Sequence, residues 1–151
     1  MSTSGDVARR ARLVIDHMLA NDGFTRWLGA ELIVAGVGHC TLRMTVRDEM
    51  VNGFGVAHGG IAYSLADSAM AFACNGAGRV TVALDTSMSY PAAVLVGDEL
   101  VAVAQEESST SRLAFYRVDV TKQDEAIVGL FRGTVYRTQR VHDVESHQTP
   151  S

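Results

Sequence analysis

The chain has 151 residues, 47% hydrophobic and 20% charged, with a formal net charge of −4. That is one domain's worth of sequence, able to bury roughly two-thirds of the surface its unfolded form exposes, and its composition excludes a disordered chain and a disulfide-stapled mini-protein. The acidic balance argues against a non-specific nucleic-acid binder.

Val7, Ala11, Val14, Ile15 and Met18 recur at helical spacing and predict a helix over 6–20. Asp16 and His17 interrupt its apolar run, so it is neither a signal peptide nor a membrane span. Asn21–Asp22–Gly23 stops it, and a short helical turn follows over 24–28. A short apolar strand over 32–35 and the cleanly alternating 39–47 read as a hairpin about Gly36-Val37-Gly38. Residues 48–57 form a loop. An alanine-rich helix over 61–73 follows Gly59–Gly60 and ends at Asn75–Gly76.

The remainder is strand after strand. Val80, Val82, Leu84, Thr86 and Met88 are expected on one face of the first. A second runs over 100–105, a polar turn spans 106–111, and a third runs over 115–120. Gln123–Asp124–Glu125 turns the chain into a last strand over 126–137. The expected organisation is a helical segment over 1–28, one domain over 29–137 and a polar, disordered tail over 138–151. Short connections make the sheet antiparallel, and the lack of alternating βαβ units excludes a doubly wound fold. The class is α+β: a sheet wrapped around one helix that is apolar all round and so buried all round.

Asp67 is the one charge between His58 and Arg79. A carboxylate in an apolar helix is costly to bury as an ion, and neither Tyr63 nor Ser64, one turn back, is a cation. Two readings stand level: a chemical group, or a structural one satisfied at an oligomer interface. Ahead of it, His58–Gly59–Gly60 opens the helix, where free backbone N–H groups and partial positive charge suit a carbonyl oxygen that gains charge. A tight turn explains the glycine pair equally well. Gly59 and Asp67 lie about 12 Å apart along the helix at 1.5 Å per residue. That is too far to grip one carbonyl and its attacking water, so if both act together they come from two chains.

No H-E-x-x-H, no Cys/His cluster and no G-x-S-x-G elbow is present, so no metal and no serine nucleophile is expected. His17 and His39 read as surface residues, and His142 and His147 fall in the tail. Cys40 and Cys74 lack C-x-x-C spacing and read as reduced thiols of a cytoplasmic protein, with Cys74 a small core hydrophobe.

The spacing Asn52-x(5)-His58-Gly59-Gly60-x(6)-Asp67 resembles the hotdog-fold acyl-CoA thioesterases, in particular their phenylacetate-catabolism branch. Met50–Val51–Asn52–Gly53, Ala57–His58–Gly59–Gly60, Ser64–Leu65–Ala66–Asp67, Ala71–Phe72–Ala73–Cys74–Asn75 and Leu130–Phe131–Arg132–Gly133 carry the likeness, which runs over about residues 12–137. The resemblance implies a helix wrapped by an antiparallel sheet, a homodimer or homotetramer, and a site at the dimer interface. It implies hydrolysis of an acyl-CoA, phenylacetyl-CoA or a ring-hydroxylated relative, without a cofactor, nucleic acid or membrane. Asp67 is then nucleophile or general base, the Gly59 N–H polarises the thioester carbonyl, Asn52 holds water or that carbonyl, and His58 orients the site. Gly60 and Asp85 join the substrate contacts. The branch often carries an aromatic-Leu-Arg-Pro element, and here Ser89–Tyr90–Pro91–Ala92–Ala93 replaces it, which leaves Arg112 as the candidate for the coenzyme A phosphates. A hydratase or dehydratase and a non-catalytic acyl-CoA sensor of the same fold are the alternatives.

Overall fold

The computed structural model describes residues 1–144. Helix α1 (Ser4–Asn21) starts at a capping box in which Thr3 and Asp6 exchange bonds of 3.1 Å. Helix α2 (Gly23–Leu28) follows, its N-cap Asp22 accepting from the Thr25 N–H. Strands β1 (Glu31–Ala35) and β2 (His39–Thr45) form the expected hairpin. A single 3₁₀ turn (Asp48–Met50) and a loop lead into helix α3 (Gly59–Asn75). Then come β3 (Arg79–Ser89), β4 (Glu99–Ser109), β5 (Leu113–Thr121) and β6 (Ile127–Val141). All neighbours pair antiparallel in the order β1-β2-β4-β5-β6-β3, so β1 and β3 are the edges.

Helix α3 lies across β2 to β6, with α1 and α2 packed on its flank. Leu65, Met70 and Phe72 are fully buried against Leu42, Leu100, Val118 and Phe131. Each such side chain contributes roughly 1.5–3 kcal/mol by leaving water. Gly133 lets the helix sit this close, because a Cβ there would run into the Met70 sulfur.

Five expectations are corrected, the last two together. Helix α3 begins two residues earlier and ends two later than expected, because His58 caps one end and Asn75 is bonded into the other. The segment expected as a polar turn from Glu106 is strand as far as Ser109, since Glu106 pairs with Tyr116 and Ser108 with Phe115. The last strand runs on to Val141 rather than ending at 137, with Arg79 opposite Val141. Residues 145–151 of the expected tail, His147 among them, lie outside the described residues.

The fourth correction concerns β3. A bulge between Ala83 and Asp85 inserts Leu84 as an extra residue against β6 and reverses the alternation. Thr86 and Met88 therefore face Gly133 and Phe131 on the α3 side, whereas Val82 lies opposite Tyr136 on the outside. Val82 and Leu84 are 46% and 60% exposed. Helix α3 is likewise not buried all round. Tyr63, Ser64, Asp67 and Ala71 form a half-buried stripe at helical spacing.

Candidate active site

The N-terminus of α3 is built by its cap. His58 Nδ1 accepts the Gly60 N–H at 2.8 Å, which fixes that nitrogen as the unprotonated one. The His58 N–H reaches Met50 O at 2.8 Å and the Ile61 N–H reaches His58 O at 2.9 Å. Gly60 is thus occupied by the cap, and among the described residues the Gly59 N–H has no partner. An unpaired donor at a helix N-terminus, in the field of the helix, is a ready site for a developing oxyanion. Asn52 stands in the loop just before. Its Oδ1 accepts from the Phe54 N–H at 2.9 Å and the Val56 N–H at 3.4 Å, which shapes residues 52–56 and leaves its NH₂ group for other partners.

A small apolar cavity of about 180 Å³ adjoins Gly59. Ala62, Val94 and Leu100 form its buried walls, and Tyr90 stands at its side. The Tyr90 hydroxyl donates to Gly59 O at 3.1 Å, and a Cβ on Gly59 would meet the tyrosine ring at 3.3 Å. Burial pushes the phenol upward, with a smaller push from Tyr63.

Asp67 lies two turns further along the same helix. Tyr63, one turn before it, shares a hydrogen bond with Thr86, while Asn75 binds the Thr81 N–H at 2.9 Å, so α3 and β3 run side by side in opposite directions. Four residues of helix past Tyr63 (about 6 Å) match two residues of strand back from Thr86. Asp67 therefore stands level with the bulge at Leu84. Its carboxyl makes no hydrogen bond or ion pair among the described residues, and burial alone holds it above the usual carboxylate range. A half-buried, unpartnered carboxylate raised in this way is a good base.

The remaining candidates are not drawn together within one chain. Asp85 sits beyond the bulge opposite Thr134, on the face of the sheet turned away from α3, where Ser87, Glu107 and Arg132 line a hollow of about 200 Å³. Arg112 is exposed in the β4–β5 turn. Leu100, at the start of β4, touches the cavity beside Gly59, and Arg112 follows the far end of that strand, roughly 30 Å away at 3.3 Å per residue.

Other groups are structural. Ser68 is buried on Thr25 at 2.7 Å. Burial pushes the Cys40 and Cys74 thiols up to about 12, which leaves both inert as nucleophiles. His142, expected in the tail, instead lies 2.7 Å from Asn75 Oδ1 at the opposite end of α3. The placement of Tyr90 over Gly59 was not read from the sequence, where the only signal was an aromatic residue just before Pro91. Among the described residues no group of three or more His, Cys, Asp or Glu side chains converges to hold a metal, and no helix is long and apolar enough to cross a membrane.

Residues 54–128, which include Gly59, Asp67 and Tyr90, match the thioesterase superfamily. Over 120 residues the chain is 35% identical to acyl-coenzyme A thioesterase PaaI of Escherichia coli, covering 80% of this chain and 86% of that one. The chain belongs to the thioesterase superfamily. Human acyl-coenzyme A thioesterase 13 is 33% identical over 115 residues, 74% of this chain and 82% of its own. The structure of E. coli PaaI, a protein from the phenylacetic acid degradation operon, superposes with a TM-score of 0.87 at 32% identity, covering 89% of this chain and 98% of that one. The hotdog fold and the PaaI branch follow, and with them a thioester hydrolase.

Proposed function

We propose that the chain hydrolyses acyl-CoA thioesters, with phenylacetyl-CoA or a ring-hydroxylated relative as substrate, in a site shared by two copies. The observation that carries this reading is the pairing of an unpaired Gly59 N–H with an unpartnered Asp67 carboxylate two turns away on one rigid helix. Neither can reach the other's substrate atom in one chain, and both lie beside surfaces that a second chain would cover. β3 is a long edge strand with Val82 and Leu84 exposed, next to the half-open stripe of α3 that contains Asp67. An uncovered apolar edge of this kind is a pairing surface. Val103, Phe115 and Leu130, exposed on β4 to β6, offer a second surface on which dimers could pair into tetramers.

In this reading the Gly59 N–H of one chain binds the thioester carbonyl oxygen and takes up the charge that develops there. Asp67 of the other chain attacks the carbonyl carbon, or removes a proton from the water that does. If Asp67 attacks, cleavage of the C–S bond leaves an acyl-Asp67 anhydride that a water then hydrolyses to the acid. If water attacks, the same cleavage releases the acid directly. In either case the coenzyme A thiolate takes up a proton. Asn52, through its NH₂ group, and His58 Nε2 hold the water or the carbonyl. Arg112 and Asp85 would contribute only across an interface.

Thiol release from phenylacetyl-CoA tests the reading. Asp67→Ala and Asp67→Asn are expected to lose about a hundredfold or more in kcat. Mixing Asp67→Asn chains with Gly59→Pro chains is the decisive arm. Random dimers leave one intact site in half of the population, so about a quarter of wild-type activity should return. Recovery of none places both groups in one chain, and full activity in the Asp67 variants removes that residue from the chemistry.

A further inference from the structure

From the way Tyr90 closes the cavity beside Gly59, we infer that its ring is the gate that sets the size of the acyl group, limiting it to about one aromatic ring. This rests on the thioester hydrolysis proposed above and adds a residue and a size class to it.

The cavity's walls differ in kind. Ala62, Val94 and Leu100 belong to the buried core and cannot move without repacking it. Ala57, Ala92 and Ala93 add only methyl groups. Two large exposed side chains stand in the lining. His58 is held in the helix cap through its Nδ1, whereas Tyr90, 50% exposed, can swing out without opening the core.

The segment that carries Tyr90 is pinned at both ends. Its hydroxyl holds Gly59 O at 3.1 Å, and Val94 O accepts the Ala57 N–H at 2.7 Å. Residues 90–94 thereby form a strap across the helix N-terminus, with Tyr90 standing directly beside the donor that would hold the thioester oxygen.

The volume then sets the size class. A dry engineered cavity of about 150 Å³ accepts benzene, and this one measures about 180 Å³. It takes an aryl ring or a short branched chain, whereas longer acyl groups collide with the tyrosine ring. Tyr90 acts here on specificity and touches no reacting atom.

The test compares phenylacetyl-CoA with octanoyl-CoA and naphthylacetyl-CoA for wild type, Tyr90→Ala and Tyr90→Phe. Affinities for the same acyl groups, carried as non-hydrolysable thioethers of coenzyme A, are measured alongside by calorimetry. Tyr90→Ala should raise the kcat/KM ratio of the larger substrates to phenylacetyl-CoA roughly tenfold or more, the scale on which apolar pockets discriminate. Tyr90→Phe keeps the ring and should leave that ratio within about twofold. Unchanged ratios in Tyr90→Ala overturn the gate, and so does an equal shift in Tyr90→Phe, which would assign the effect to the hydroxyl bond with Gly59. If no acyl-CoA is turned over but the thioether affinities shift with size as described, the gate stands and the hydrolytic reading falls.

Discussion

The two ends of α3 are made from similar residues and treated in opposite ways. At the C-terminal end the Asn75 side chain is fully paired. Asn75, 2% exposed, donates to Ala71 O at 2.7 Å and Thr81 O at 3.1 Å, and accepts from the Thr81 N–H at 2.9 Å. Its Oδ1 also receives His142 Nε2 at 2.7 Å, and the His142 N–H is in turn held by Gly78 O at 2.8 Å. At the N-terminal end a donor is left unpaired beside an apolar cavity, and two turns on a carboxylate is half-buried without a partner. One end ties the helix to the first and last strands of the second half of the chain. The other keeps its polar groups unspent, and unspent buried groups are what chemistry requires.

Substitutions at three positions would break or sharpen this contrast. The largest effect is expected from Gly59→Pro. Proline is tolerated at the first helical position, and His58 already has the extended backbone it demands (φ −57, ψ 135). The change deletes the N–H and retains the helix. Loss of one oxyanion donor should reduce kcat about 10²–10³-fold, with the far-UV circular dichroism unchanged. Gly59→Ala keeps the donor and asks Tyr90 to give by only a few tenths of an ångström, so most of the activity should survive. Equal losses in the two variants would remove the N–H from the mechanism.

Asn75→Ala should come next, and should act on stability. It strands the Thr81 N–H, the Thr81 carbonyl and His142 in a buried setting, at a cost of roughly 3 kcal/mol. Thermal or urea unfolding reads this directly. Burial holds His142 below the ordinary histidine range. The unfolded chain therefore takes up the proton first, and stability falls as pH drops below about 6.5. Burial, with smaller effects of His17 and Arg140, sets that acid limb, and the Asn75 oxygen accepts from Nε2–H in either protonation state. Asn75→Ala should therefore lower stability and leave the limb in place. A limb that flattens would make the Asn75 contact its cause.

The smallest effect has the opposite sign. Burial raises the Asp67 carboxyl, so the folded chain favours its protonated form, and the penalty for ionising it grows as pH rises above the ordinary aspartate range. On stability, Asp67→Asn should raise the melting temperature at neutral pH, by the equivalent of about 1 kcal/mol or less. The gain should vanish at acid pH, where the wild-type carboxyl is also neutral. A variant less stable than wild type at neutral pH would mean that the carboxylate is satisfied by a partner in the assembled protein.

Much of the fold was legible because local periodicity and tertiary burial agree. In β2, Cys40, Leu42 and Met44 alternate in sequence and are all buried, and β5 does the same with Ala114, Tyr116, Val118 and Val120. The expectation failed at β3, where one extra residue reversed the faces. Nothing in the side chains of Ala83, Leu84 and Asp85 announces a bulge, because it arises from how β3 registers against β6. The strand over 106–109 was missed for a related reason. Its residues are polar on both faces, so no alternation reveals it, and the pairing with β5 decides it.

The site divided along the same line. An isolated carboxylate in an apolar helix and a glycine pair at its start are visible in sequence, since cost and conformational freedom are properties of single residues. By itself the sequence determined the central helix, its antiparallel wrapping and the two groups set about 12 Å apart along it. Only the tertiary structure decided which donor is unpaired. His58 turns back onto Gly60, Asn52 folds onto its own loop, and the Gly59 N–H is left between them. Only the structure, too, brought Tyr90 over Gly59 from 31 residues away. Periodicity reports which face of an element is buried, whereas the partner of a hydrogen bond is fixed by packing between segments distant in the chain.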